Sequence, residues 1–372
     1  MALPGLPTPQ DQLEYYYTVR EIIWRYKLDE VEGAVVARLH SLLEEMRREV
    51  SGRILRYRPE QYTRQRLEEL LRDIETYSDA VKAATVKVIA AESGAAGAAS
   101  LTEHADILSV GGKSSRVAGV SMGAADFGAL MLSANVGGQA LTQWVEPAFP
   151  EVGEAIFNAI RVGMFQGEGY QQIVRRVMAE ATEATEREVI TIARTYVQTA
   201  NVAAQEAVFQ RNRDVLGWLE WSAIMEPSYK QTGRGTCLVC ASLDGRRYRQ
   251  DEEKPEMPKH FGCRCHWKPI VDWEKLGIPG LAVEDATRPY TVRGDLNIGA
   301  GGRREILEVG MHKGNWASWA SGRDEAFKIN AIGPQRYALW QESGLNFEAF
   351  SKRLVNGKTG VLYTVKELEA ML

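Results

Sequence analysis

Cysteine is missing from residues 1–236 and again from 266–372, and the whole chain of 372 residues has only four. That excludes a fold framed by disulfides along its length. No apolar run approaches the roughly 18 residues needed to span a bilayer, so no stable membrane insertion is expected. The start, MALPGLPTPQDQLEYYY, lacks a basic stretch followed by an apolar core, so no secretory signal is expected there. No Gly-x4-Gly-Lys-Ser/Thr phosphate loop occurs. An excess of one charge is missing too. The chain has 45 Lys+Arg against 49 Asp+Glu, a net charge of −4, so the whole molecule is no obvious nucleic-acid binder. Hydrophobic residues at 45% and charged residues at 25% describe a chain that folds.

What is present begins with helical periodicity. From Leu28, apolar residues fall at Val31, Val35, Leu39, Leu42, Met46, Val50 and Ile54, one face of a helix. Pro59 ends it, and Leu67, Leu70, Ile74, Tyr77 and Val81 mark a second helix, so residues 1–90 read as a helical hairpin. Residues 91–149 are rich in Ala, Gly and Ser and read as a linker or as short helices packed through small residues. Residues 150–214 read as helical. Val152, Ile156, Ile160 and Phe165 suggest one helix and Tyr170–Met178 a short one. A long helix follows, whose stripe uses Ile190, Ala193, Val197, Ala200, Ala204, Ala207 and Val208. Glu186 and Glu188 stand two apart on it and read as surface charges.

At Val215 the period shortens. VLGWLEWSAI reads as a strand, and Leu243-Asp244-Gly245-Arg246 reads as a tight turn into a returning strand. Residues 215–280 are therefore expected to form a small β-rich module. Residues 281–372 are expected to form a tail with short helices. In it Gly333-Pro334 breaks the chain before an Arg336–Trp340 helix, and Thr364-x-x-Glu367 has the spacing of a capping box. The fold class is α+β, mostly α: long amphipathic helices, a small β-hairpin module and a short helical C-terminal tail.

The module holds every cysteine: Cys237-x2-Cys240, then His260-x2-Cys263-x-Cys265-His266. Two Cys-x2-Cys-like knuckles brought together by a hairpin make a closed tetrahedral site, and soft thiolates favour zinc or iron–sulfur over magnesium or calcium. A structural Zn2+ is the expected cofactor. Cys237, Cys240, Cys263 and Cys265 would give an all-sulfur site; Cys237, Cys240, His260 and Cys263 would give two x2 knuckles. His266 is expected to pack beside Trp267. Disulfides between the two clusters and free thiols are the alternatives. No set of three ligands with a nearby general base points to a catalytic metal.

Taken together, Cys237-x2-Cys240, Leu243-Asp244-Gly245, Pro258-x-His260-x2-Cys263-Arg264-Cys265 and Pro269 resemble the signature of the Mu F-like head morphogenesis proteins, minor capsid proteins of tailed phages. Ile192-Ala193-Arg194-Thr195, Ala200-Asn201, Trp218 and Trp221 extend the resemblance, which covers roughly residues 150–270. The departures are Tyr196 where the family often has Glu, Met257 in place of a proline and Phe261 in place of another. AFKINAIGPQRYALWQESGLNFEAFSKRL and LYTVKEL resemble the family's tail. The resemblance implies a non-enzymatic virion component in few copies. It would sit in the capsid interior or at the portal vertex, and in the host cytoplasm during assembly. Its implied partners are the portal protein, the major capsid or scaffold protein, and in some members packaged double-stranded DNA.

Two other functions are open at this point. A nuclease or transferase could use His312 in EVGMHKGNW. A weak, sequence-independent DNA binder could use the basic module, with Trp267 or Tyr248 stacking on bases. Arg293-Gly294-Asp295 reads as a chance triplet in a glycine-rich loop.

Overall fold

Apolar side chains every three or four positions build the helices α1 (Pro9–Arg56) and α2 (Arg64–Leu108). The computed structural model describes the backbone of residues 9–56, 64–109, 114–136, 139–149, 170–225, 236–277, 287–298 and 302–372, with isolated positions at 158, 162 and 166. Ion pairs show that α1 and α2 run antiparallel: Arg53–Asp73 at 2.6 Å, Arg38–Glu92, and Arg20–Asp106 at 2.7 Å. Leu28, Val35, Leu39, Met46 and Val50 are buried along the α1 stripe, and Ile74 and Val81 along that of α2. The side chains of Ile54, Leu67 and Leu70 lie outside the described residues.

Residue 90 is not a boundary. The small-residue stretch continues α2 without interruption to Leu108. Side-chain size falls along its inner face from Ile74, Val81 and Ile89 to Ser93, Ala96 and Ser100. Close approach is the physical reason. A Cβ on Gly94 would overlap Ala124 O and Gly128 N, and one on Gly97 would overlap the Phe127 ring. The helix α3 (Ala124–Ser133) lies in that shallow groove, and α4 (Leu141–Ala148) follows it.

The helix expected from Val152 to Phe165 lies outside the described residues. The short helix at Tyr170 and the long one after it are a single element, α5 (Tyr170–Arg211). From Val189 to Phe209 it is buried nearly all round. Such a helix belongs inside a protein and not on its surface. Ala193, Val197, Ala200, Ala204 and Val208 are buried as the stripe predicts, whereas Ile190 is half-buried and Ala207 exposed. Asn201 ties α5 to the hairpin. Its Oδ1 accepts from Trp24 Nε1 at 3.0 Å and Ser100 Oγ at 3.1 Å, and lies 3.0 Å from His104 Nε2.

The other side of α5 carries a three-stranded antiparallel sheet in the order β2-β1-β3, from β1 (Leu216–Ser222), β2 (Arg247–Tyr248) and β3 (His266–Val271). Trp221 stands opposite Trp267 and Leu219 opposite Tyr248, and all four are buried. Between β1 and β2 lies a six-residue helix, α6 (Leu238–Leu243), that the hairpin reading did not anticipate. Asp244 closes α6, and Gly245, at φ 77°, turns the chain into β2.

The tail also differs from expectation. Residues 287–298 and 302–313 form a two-stranded antiparallel ribbon, β4 (Thr287–Ile298) and β5 (Gly302–Lys313). Arg293, Gly294 and Asp295 pair with Leu307, Ile306 and Glu305, so the triplet is strand and not loop. Pro289 and Gly294 hid it, since both weaken a strand pattern. Five short helices follow: α7 (Trp316–Ser321), α8 (Glu325–Ile332), α9 (Pro334–Glu342), α10 (Phe347–Arg353) and α11 (Val365–Met371). Gly333 and Pro334 start α9, and Thr364 with Glu367 forms the capping box of α11. Trp316, Trp319, Phe347, Phe350, Leu354 and Leu368 give this part its own core. Among the described residues no helix is long and apolar enough to cross a membrane.

Candidate metal centre

Local sequence brings the first two sulfurs together. Cys237 is the N-cap of α6, with its Sγ accepting from Cys240 N at 3.4 Å, so Cys240 lies one turn in and its sulfur returns to the same side. The second cluster has no regular structure and is held from behind by α5. Thr195 Oγ1 accepts from Gly262 N at 2.9 Å, Gln198 Nε2 donates to Cys265 O, and Gln205 Oε1 accepts from Trp267 N at 3.0 Å. Positions 195, 198 and 205 share one helical face. Their polar side chains supply hydrogen bonds to the irregular backbone of 262–265 and to the start of β3. Of the three, only Thr195 was singled out in the sequence, and then as part of a motif. The readable signal was polar residues at spacings of three and seven on a helix otherwise buried.

The side chains form two groups. The donor atoms of Cys237, Cys240 and His260 lie within 4.8 Å of one another, and so do those of Cys240, Cys263 and Cys265. Cys240 belongs to both groups; His266, at the start of β3, belongs to neither. All four cysteines are free. Cys240, Cys263 and Cys265 are buried, while Cys237 and His260 form the rim. For a tetrahedral ion with sulfur at about 2.3 Å and imidazole at about 2.0 Å, neighbouring donors lie about 3.8 Å apart sulfur to sulfur and about 3.5 Å sulfur to nitrogen. Cys240 Sγ is 3.9 Å from Cys263 Sγ and 3.4 Å from His260 Nε2. His260 Nδ1 lies 2.8 Å from Phe261 O, so it carries the proton, leaves Nε2 to the sulfurs, and orients the ring as outer partners of metal-bound imidazoles do. A cavity of about 20 Å³ opens among Thr236, Cys237, Cys240 and His260. That is room for one ion or water and not for a substrate.

Electrostatics agree with this geometry. Without a cation the sulfurs must share protons. Hydrogen bonding to Cys240, then to His260, lowers the Cys237 thiol to about 5. Cys263 is held well below the usual thiol range by bonds from Cys240 and Cys265. Cys240 is pushed well above that range by its bonds to Cys237, Cys263 and Cys265 and by burial. His260 is raised to about 9, chiefly by its bond to Cys237. Neighbouring sulfurs are thus driven apart in acidity, as expected of buried like charges with nothing positive at their centre. The residues present fit a metal ion.

Residues 154–268 match the family model of the Phage Mu protein F like protein. This part of the chain is Mu F-like. The match contains both sulfur clusters, and the family points to phage head morphogenesis. No curated protein matches the chain significantly. No solved structure matches it significantly.

Where this Mu F-like region departs from the expected pattern, the structure shows what stands there. Tyr196 is fully buried, and burial pushes its phenol to about 12. Phe261 packs edge-on against Trp144 of α4, with ring centroids 4.2 Å apart. One other expectation is corrected. Trp267 and Tyr248 lie on the inner face of the sheet and are buried, so neither can stack on a base. The exposed aromatic of that sheet is Trp218, with Arg249 5.8 Å above its ring. His312 Nε2 lies 2.9 Å from Ser318 Oγ, which itself lies 2.8 Å from Asn315 O. A carbonyl can only accept, so the serine proton goes to Asn315 and the imidazole donates to Ser318.

Asp244 is a turn residue, as read, with Arg246 N donating to Leu243 O at 3.0 Å across the turn, and it is also a buried junction. It accepts from Ala223 N at 2.6 Å, from Trp316 N, and from Arg288 at 2.8 and 3.1 Å. One carboxylate thus joins β1, α6, β4 and α7.

Proposed function

We propose that this chain is a minor capsid protein of a tailed phage that acts during procapsid assembly at the portal vertex, and that one structural Zn2+ staples its Mu F-like module. The observation that carries the proposal is the coincidence of the family match at 154–268 with two three-donor groups, Cys237–Cys240–His260 and Cys240–Cys263–Cys265, that share Cys240. The donors come from Cys237, Cys240, His260, Cys263 and Cys265, four at a time. An ion held there contributes folding free energy to a module too small to be stabilised by its apolar core alone. The chain's own residues do the rest. Thr195, Gln198 and Gln205 hold the second cluster against α5, and Phe261 O orients His260. The portal protein is the proposed partner, the long α1–α2 hairpin the proposed arm, and capsid or scaffold protein the proposed neighbour.

Two measurements test this. Reduced, freshly purified protein should carry one zinc per chain by native mass spectrometry, and a chelator should lower its melting temperature. Co-expressed portal protein should co-purify with it. Metal-free protein with an unchanged melting curve removes the zinc, and a portal that never associates under assembly conditions removes the role.

A further inference from the structure

Residues 355–361, between α10 and α11, turn back on themselves. Asn356 N donates to Val361 O at 2.8 Å, Gly360 N to Asn356 O at 2.8 Å, and Tyr363 N to Leu354 O at 2.9 Å. Their outward carbonyls are met by side chains of the cysteine module. Tyr248 OH donates to Gly357 O at 2.7 Å, Lys259 Nζ to Thr359 O at 2.8 Å, and Arg246 to Val355 O at 3.5 Å and to Lys352 O of α10. The fit is close. A Cβ on Gly357 would overlap the Arg246 guanidinium, and one on Gly360 would lie 3.0 Å from Lys259 Cε and 3.2 Å from Pro255 Cβ.

These contacts differ in what holds them. Arg246 and Tyr248 border or belong to β2, which pairs with β1, and Arg246 O accepts from Trp221 N at 2.8 Å. Lys259 and Pro255 sit in the irregular segment 249–265, which contains no helix or strand. Lys259 immediately precedes His260, so its position follows that of the imidazole and the sulfurs behind it.

We infer that metal loading of the cysteine module latches the C-terminal segment, with Lys259 as the metal-dependent half of the latch and Arg246 and Tyr248 as the standing half. This rests on the zinc reading above. Losing the ion frees 249–265, withdraws Lys259 and Pro255 from the turn at 355–361, and loosens the segment that leads into α11. The metal site thereby becomes a control on the order of the tail as well as a staple.

Hydrogen–deuterium exchange of the full chain, with zinc content measured on the same samples, tests this. Stripping zinc should speed exchange at the amides of Asn356, Gly360 and Tyr363, while those of α5 between Val189 and Val208 stay protected. Lys259→Met keeps the apolar stem and all five donors. It should keep its zinc yet speed the same three amides about three- to ten-fold, the effect of losing one charge-assisted hydrogen bond near solvent. Protein that binds no zinc overturns both readings. Protein that binds zinc, but whose turn exchanges at the wild-type rate in Lys259→Met, overturns the latch alone. So does a stripped sample in which 249–265 speeds up and 355–361 does not.

Discussion

Acid should weaken the helical bundle through His104. Its ring is fully buried between Trp24 and Phe209, with centroids 6.3 and 6.4 Å away, and its polar contact is with Asn201. Burial lowers its pKa from the usual 6.5 to about 4, against a raising effect of the Asn201 bond. A depressed folded-state pKa means that the unfolded chain takes up the proton first. The contribution is complete above 6.5 and is lost as pH falls towards 4. Between pH 7 and pH 5 that amounts to about 2 kcal/mol, from 1.36 kcal/mol per pKa unit. Other groups also titrate in this range, so the measurement is a difference. His104→Gln keeps a donor for Asn201 and cannot ionise. Urea unfolding followed by far-ultraviolet circular dichroism at pH 7 and pH 5, on both proteins, isolates the histidine. Wild type should lose about 2 kcal/mol more than the variant, even if the variant starts less stable. Equal losses in the two would show that His104 is reached by water or re-paired in the folded state, and the reasoning would fail.

The remaining predictions are structural. Asp244→Ala leaves Arg288 nearly buried without its carboxylate and the Ala223 amide without an acceptor, and should cost about 3–5 kcal/mol by urea titration, with Asp244→Asn milder. Gly97→Ala must displace the Phe127 ring and should destabilise by about 1–3 kcal/mol. Gly33→Ala meets nothing within 4 Å on a helix and should raise stability by about 0.5–1 kcal/mol. If the two glycines respond alike in thermal melts, the close packing of α2 on α3 is wrong.

The helical stripes and the sulfur knuckles were legible because each depends on local spacing. A period of 3.6 announces a buried face, and Cys-x2-Cys announces a shared centre, with no knowledge of distant neighbours. What escaped depends on partners far along the chain. Asp244 followed by glycine has the form of a turn, and only Arg288 and Trp316 make it a junction. His104 is one of five histidines until Trp24 and Asn201 stand beside it. The Ala-Gly-Ser stretch reads as linker because nothing local says that α3 lies in its groove. The segment CLVCASL is too short to show a helical period, so α6 was hidden behind the cysteines that it positions.

The burial of α5 nearly all round between Val189 and Phe209 has a mechanical meaning. One rigid rod meets the hairpin through Asn201 and the cysteine module through Thr195, Gln198 and Gln205, all within three turns. Inserting or deleting a single residue between Gln198 and Asn201 would rotate Thr195 and Gln198 about 100° against Asn201 and Gln205. Neither neighbour could follow without abandoning its own packing. The rod is therefore a ruler: whatever grips the hairpin also sets the angle at which the sulfur-bearing cap is presented.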